Sequence, residues 1–221
     1  MTSDEAGSRE CPSLRRDAER NRDRILVAAR QAYAREGLHV SMASVARGAG
    51  VGVATLFRRF PTQEDLIAAV FEDTMDAYVA AVTSALEDPD PWRGFQAFIR
   101  TVCGMQAADR GFAEVLTMSF PAAEELEAKR SAALRGFTEL ISRGQEAGRL
   151  RPEFCAEDLV VLLMANAGVV AAAGDSAPGA WQRLVGHMLR AFAVHEVDTV
   201  PPAPDPEELK QAMRRFASDA S

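Results

Sequence analysis

Arg58 and Arg59 stand at the end of a short run, Val53-Ala-Thr-Leu-Phe57, that follows the break Gly50-Val51-Gly52. Residues of these types at this spacing can touch nucleic acid. A guanidinium pairs with phosphate or with guanine, while Val53, Ala54 and Thr55 are small enough to approach base edges, where Ala54 or the Thr55 methyl suits a thymine methyl. Ser41 and Thr62 stand where helix N-termini would receive phosphates. Arg15, Arg16, Arg20, Arg22 and Arg24 add charge for a backbone or minor groove, although for any one of them a solvated face is an equally good account.

Other patterns carry less. Gly48-Ala-Gly-Val-Gly52 has the look of a phosphate cradle, but the dinucleotide fingerprint needs a strand before it and none precedes. Gly174-Asp-Ser-Ala-Pro-Gly179 has a hydrolase-like serine, yet it falls between helical stretches and lacks the elbow that would activate Ser176. His39, His187 and His195 are scattered, and Cys11, Cys103 and Cys155 form no Cys-x-x-Cys pair, so no metal site and no disulfide framework is expected. No nucleophile, base and orienting group recur at a usable spacing. Catalytic residues and cofactors are therefore left unassigned, and an enzyme is the last-ranked reading.

The elements that must hold these groups read as helical throughout, so the expected fold is all-α. Ile25, Ala28, Ala29, Ala32 and Tyr33 share one face of a first helix over about 17–36, with Gly37 placed to end it. Ser41 caps a short second helix whose Met42, Val45, Ala46 and Ala49 face one way, and the glycines at 50 and 52 break it. A third helix over 53–60 keeps Leu56 and Phe60 on one side and stops at Pro61. Thr62 with Asp65 is a capping-box pattern for a long helix to about residue 86. Helices near 91–108, 111–119, 121–147, 156–173 and 178–196 follow, with Asp90, Pro91 and Pro121 as starts and Gly148 and Gly174 as stops. After Val197 the chain is Pro-rich, with one short helical stretch carrying Leu209, Met213 and Phe216 on a face. The first three helices, the last two joined by a Gly-centred turn, make a helix-turn-helix with 53–60 as the recognition helix.

The run 41–66, SMASVARGAGVGVATLFRRFPTQEDL, resembles the signature of TetR/AcrR-type transcriptional regulators: Phe57, Phe60, Pro61 and the acidic residue before Leu66 sit at the family spacing. The similarity covers about residues 17–71. Beyond it the chain agrees in length, helix count and a closing pair of apolar helices. Gly148-Arg-Leu-Arg-Pro152 followed by Glu157-Asp158-Leu159 is similar to a subgroup with an SbtR-like C-terminal domain. The resemblance implies an N-terminal helix-turn-helix DNA-binding domain over 15–62, a helical effector-binding and dimerisation domain over 63–196, and a tail over 197–221. It implies a ligand-responsive regulator of transcription, a homodimeric repressor released from a palindromic double-stranded operator by a small-molecule effector. It also adds Phe57 to the DNA-facing set of Ser41, Val53, Ala54, Thr55, Arg58, Arg59, Thr62 and Arg22. Three positions depart from the family pattern: Gly52 replaces a Ser or Thr cap, Phe57 a phosphate-binding Tyr, and Gln63 a Lys. They motivate the alternative, an effector-sensing or protein-interaction module on the same scaffold whose DNA binding is weakened or lost.

Residues 159–164 are apolar all round, and Trp181, Leu184, Val185, Met188, Leu189 and Phe192 form a helical stripe. Such faces need several neighbours, so a two-fold interface is expected through Leu162, Val169, Trp181, Leu184, Val185, Met188 and Phe192. Most large apolar residues of the middle body must be core. The resemblance places an effector pocket among them, with Phe95, Met105, Phe112, Leu116, Phe137, Ile141 and Asn166 as candidates. Asn166 reads as a ligand anchor or, nearly as well, as an interface hydrogen bond.

Charge organises the chain in the same way. Its 221 residues hold 25 basic and 32 acidic side chains, a formal net of −7 that argues against a protein coating nucleic acid or an anionic membrane. Residues 9–70 nevertheless carry eleven arginines against seven carboxylates, a net of +4, leaving −9 from residue 71 onward. The apolar stretch 159–173 is interrupted by Asn166 and Gly168 and is short for a bilayer, and the first two dozen residues lack an apolar signal core. A cytoplasmic protein with no membrane partner is expected.

Overall fold

The computed structural model describes residues 12–116, 118, 120–194, 205–208 and 211. The tail stretch with Leu209, Met213 and Phe216, and the side chains of Arg15 and Arg16, lie outside the described residues. The head consists of α1 (Pro12–Glu36), α2 (Met42–Ala49) and α3 (Val53–Arg59). Its boundaries are locally encoded. Ser41 Oγ accepts from Ser44 N at 3.2 Å to start α2, and Gly50, at φ 62°, lets the chain reverse while its N–H closes on the carbonyls of Ala46 and Arg47. The long α4 (Gln63–Glu87) opens with the full capping box: Thr62 Oγ1 accepts from Asp65 N, and Asp65 Oδ2 accepts from Thr62 N at 2.9 Å.

The body continues with α5 (Pro91–Ala108), α6 (Arg110–Val115), α7 (Glu124–Glu146), α8 (Ala156–Ala173) and α9 (Ala180–Phe192), with a short 3-10 turn over Gly174–Ser176. Asp90 Oδ1 accepts from the amides of Trp92 and Arg93 to start α5. Among the described residues the extended pairing is a single antiparallel bridge between Leu150 and Ala193, so the all-α reading holds.

Helix boundaries differ from expectation at α1, which begins at Pro12 rather than about 17, and at three later helices, two of them because a distant group intervenes. Pro121 does not open α7, which starts at Glu124. Residues 120–123 turn instead, with Phe120 N donating to Glu127 Oε1 and Ala122 N to Glu64 Oε2, each at 2.6 Å. The last helix spans Ala180–Phe192 rather than 178–196, because Ala193 leaves it to pair with Leu150 while Val194 N donates to Arg149 O at 3.1 Å. The helix near 111–119 ends at Val115.

One contiguous core runs from Ile25 in α1 to Leu189 in α9. Within it, ring contacts pass from Tyr33 through Phe71, Phe112, Tyr78, Phe98, Phe137 and Phe95 to Phe154 and Phe192, with centroids 4.8 to 6.4 Å apart. Burial pushes the Tyr78 phenol up to about 12. Polar ties join head to body beside these rings. Glu114 of α6 is buried, and its Oε2 accepts from Leu38 N at 2.7 Å. Arg30 of α1 lies over the Phe71 ring at 5.6 Å, donates to Val70 O, and pairs with Asp109 at 3.6 Å.

Gly37 is part of this joint. It sits at φ 77°, and a Cβ there would overlap the Glu114 carboxylate. Gly37→Ala therefore adds left-handed strain and drives the carboxylate off a buried amide. We expect a loss of roughly 2 to 5 kcal/mol in urea unfolding. Gly148, at φ 65° with open space around its would-be Cβ, is the control, with a loss of only about 1 to 2 kcal/mol for Gly148→Ala.

Candidate nucleic-acid interface

The helix-turn-helix holds α3 by its inner side and leaves the rest free. Leu56 is fully buried and Phe60 nearly so, whereas Val53 is 43% and Phe57 45% exposed, with Ala54, Arg58 and Arg59 exposed beside them. Thr55 is half-buried. Neither Arg58 nor Arg59 forms an ion pair among the described residues, so both guanidiniums are available to an anion. Gly52 begins α3 without a side-chain cap, leaving the first amides of the helix to solvent or to a ligand.

The surrounding residues sort into outward and inward groups. Ser41 and Thr62 are exposed at their helix starts, but each hydroxyl already serves its own cap. Thr62 Oγ1 also donates to Asp65 Oδ2 at 2.8 Å, which places a carboxylate at the start of α4. Arg22 is half-buried, and Arg24 Nη2 donates to Gly50 O at 3.2 Å, tying α1 to the turn of the motif. Gln63 turns inward: its amide donates to Leu38 O and, at 3.2 Å, to Val40 O. The residue that replaces the family's lysine thus holds the α1–α2 loop instead of facing outward. Sequence reasoning missed this, and it missed Glu114 as well, whose signal was an acid inside a short apolar helix. It also missed Val27, 57% exposed on α1, which with Arg24, Arg47 and Gly50 lines a cleft of about 480 Å³ on the head.

In the body, the residues expected around an effector are mostly buried in the core. Phe95, Phe112 and Phe137 are buried, Ile141 nearly so, and Met105 and Leu116 are partly buried. Phe95 stacks on Phe137 at 6.1 Å, but Phe112 belongs with Phe71 and Tyr78. None of the seven candidates lines the head cleft. Nor do they line a cleft of about 330 Å³ between α4 and α7 or one of about 380 Å³ at the pole formed by Trp92, Gly148 and Arg190. Asn166 is fully buried, and its Nδ2 donates to Cys103 O at 3.2 Å and to Gln106 Oε1 at 2.7 Å. Two acceptors on one nitrogen fix the amide orientation. Among the described residues its Oδ1 has no partner. Burial pushes the neighbouring Cys103 thiol up to about 12.

The apolar helices divide their faces unevenly. Leu162 and Val185, expected in a two-fold interface, are buried inside the protomer and do not reach its surface. The outward side of α8 instead shows Val161, Ala165 and Ala172 exposed, with Met164, Gly168 and Val169 half-buried. Trp181, Leu184, Met188 and Phe192 of α9 are also half-buried, and the Trp181 ring lies against Gly104 of α5. The helix around the short apolar run is 18 residues, long and apolar enough by length and composition to cross a membrane, with 22% of it buried. Its packing on α5, α7 and α9, and the buried Asn166 it carries, join it to the helical body.

Residues 25–70 match the family described as bacterial regulatory proteins, tetR family, and residues 90–191 match the transcriptional regulator SbtR-like C-terminal domain. An HTH-type transcriptional regulator of Staphylococcus aureus (strain USA300) is 32% identical over 76 residues, 34% of this chain and 41% of that protein. The chain thus spans about two-fifths of the length of the curated relatives it matches. The TetR transcription regulatory protein from Mycobacterium vanbaalenii is 30% identical, with 82% of this chain and 99% of that one covered and a TM-score of 0.47. A TetR-family transcriptional regulator from Agrobacterium tumefaciens, 20% identical with a TM-score of 0.57 over 80% of this chain and 100% of its own, shares the fold. With one match on the helix-turn-helix and a second on the helical body, the chain belongs to the TetR family of bacterial transcriptional regulators, which are not enzymes.

Proposed function

We propose that this chain is a ligand-responsive repressor that binds a palindromic operator as a homodimer in the cytoplasm, with 15–62 as its reading head and 63–196 as its sensing and dimerising body. The observation that carries the reading is the exposed side of α3, where Val53, Ala54 and Phe57 lead to two arginines that form no ion pair among the described residues, on a head of net positive charge. The outward apolar side of α8 supports an isologous partner, which would supply the second head that a two-fold operator requires. Asn166 Oδ1 supports an effector bearing a hydroxyl or amide donor, because a buried acceptor without a partner gains a hydrogen bond when such a group arrives. An effector there would favour a dimer whose recognition helices no longer match successive major grooves.

The test is fluorescence anisotropy against the DNA flanking the gene and against a randomised duplex library, at several salt concentrations. Sequence-selective binding that weakens steeply with salt supports the reading. Its absence from both DNAs would sink it. The second reading, a sensing module without DNA binding, is favoured by one specific observation: Gln63 is engaged with Leu38 O and Val40 O and offers no charge to a phosphate.

A further inference from the structure

We propose that the operator half-site is read chiefly through thymine methyl groups, a claim that rests on the DNA-binding reading above and narrows it to a class of sequence. Thr55 brings the one hydroxyl of the leading turn of α3 and is half-buried, so the exposed side chains there are apolar. Val53 and Phe57 lie one turn apart on the same side, each more than two-fifths exposed, and Ala54 is exposed beside them. None of the three has a side-chain donor or acceptor. Gly52, in front of them, has no side chain at all, and Gln63, which could have added an amide, is held inward by two carbonyls.

Base pairs in the major groove differ by their donors and acceptors and by one apolar feature, the C5 methyl of thymine. An apolar side chain laid over a donor or acceptor strips it of water and returns no hydrogen bond, which is unfavourable. Laid on a methyl, it buries apolar surface with no such penalty. Val53, Ala54 and Phe57 can therefore favour one base over another only where thymine presents that methyl. Arg58 and Arg59 do not alter this choice at the same step. Arg58 follows Ala54 by four residues, a rise of about 6 Å along the helix, so its guanidinium serves a phosphate or a guanine roughly two base steps away. The half-site should then hold a core of A·T pairs with thymines facing α3, and a guanine, if one is read, toward its edge.

The experiment uses the full chain. A duplex is selected from a randomised library, and each thymine of its half-sites is replaced in turn by deoxyuridine, which removes the methyl and leaves every hydrogen-bonding group. Affinity is read by anisotropy at fixed salt. At two or more positions per half-site we expect a loss of about fourfold, the effect of one buried methyl-sized group. At those positions, exchanging T·A for C·G should weaken binding further, and 5-methylcytosine in place of that cytosine should recover part of the loss. Val53→Ala should blunt the uracil effect at one position without abolishing binding. Sequence-selective binding that is indifferent to uracil at every position overturns the methyl readout and leaves DNA binding standing. A library that yields no selected duplex overturns both.

Discussion

Replacing Arg58 and Arg59 together with alanine is expected to weaken binding to a selected operator by roughly 30-fold or more, at about 1 to 3 kcal/mol for each guanidinium contact. Both side chains are exposed in the last turn of α3 and make no ion pair among the described residues, so their loss leaves the head folded. Circular dichroism and the unfolding midpoint should stay within error of the parent protein. If both arginines meet phosphates, the plot of log affinity against log salt should flatten by about two units. If one reads guanine, the flattening is smaller and selectivity at that base relaxes. Unchanged affinity, with the fold intact, would remove the two guanidiniums from the interface and leave its apolar contacts to be tested separately.

A second large effect is expected at Phe137, where alanine should cost about 3 to 5 kcal/mol of unfolding free energy. The ring is 1% exposed on α7 and lies 5.2 Å from Phe98, 6.1 Å from Phe95 and 6.5 Å from Phe154, measured between centroids. Its removal leaves a void that three other rings cannot fill without leaving their own positions. Phe137→Leu, which keeps most of the volume, should lose substantially less. Urea titration at equilibrium measures both. A Phe137→Ala protein within 1 kcal/mol of the parent would show that the ring is dispensable to the core.

The head was almost fully legible in the sequence because its signals are short-range. Ser41, Gly50 and the Thr62 and Asp65 box each act within four residues, so the residue types alone place α2, α3 and the start of α4. The same holds for Asp90 and Pro91 at α5. Legibility failed where partners come from far along the chain. Glu64 takes the amide of Ala122 and delays α7, and Leu150 draws Ala193 out of α9. Neither pairing leaves a trace in local periodicity. The outward face of α8 was obscured for another reason: a helix apolar on every side has no pattern to tell its two coats apart, so Leu162 was expected at a two-fold interface though it is core. At the candidate interface, residue type alone cannot show that Gln63 looks inward, since the carbonyls it meets belong to a loop more than twenty residues away.

The row of rings that begins at Tyr33 sets a limit on how this protein can be recombined. Tyr33 belongs to α1, yet its ring is covered by Phe71 of α4, and Gly111 of α6 packs against its Cβ. A graft that transplants residues 12–60 onto a foreign body would strip that cover and expose an aromatic surface in the middle of the reading head. The smallest exchangeable piece therefore includes the first half of α4 and all of α6, together with Glu114 and its hold on Leu38. Swapping operator specificity between such proteins is then better done by rewriting the outer face of α3, where Val53, Ala54 and Phe57 are exposed, than by trading whole heads.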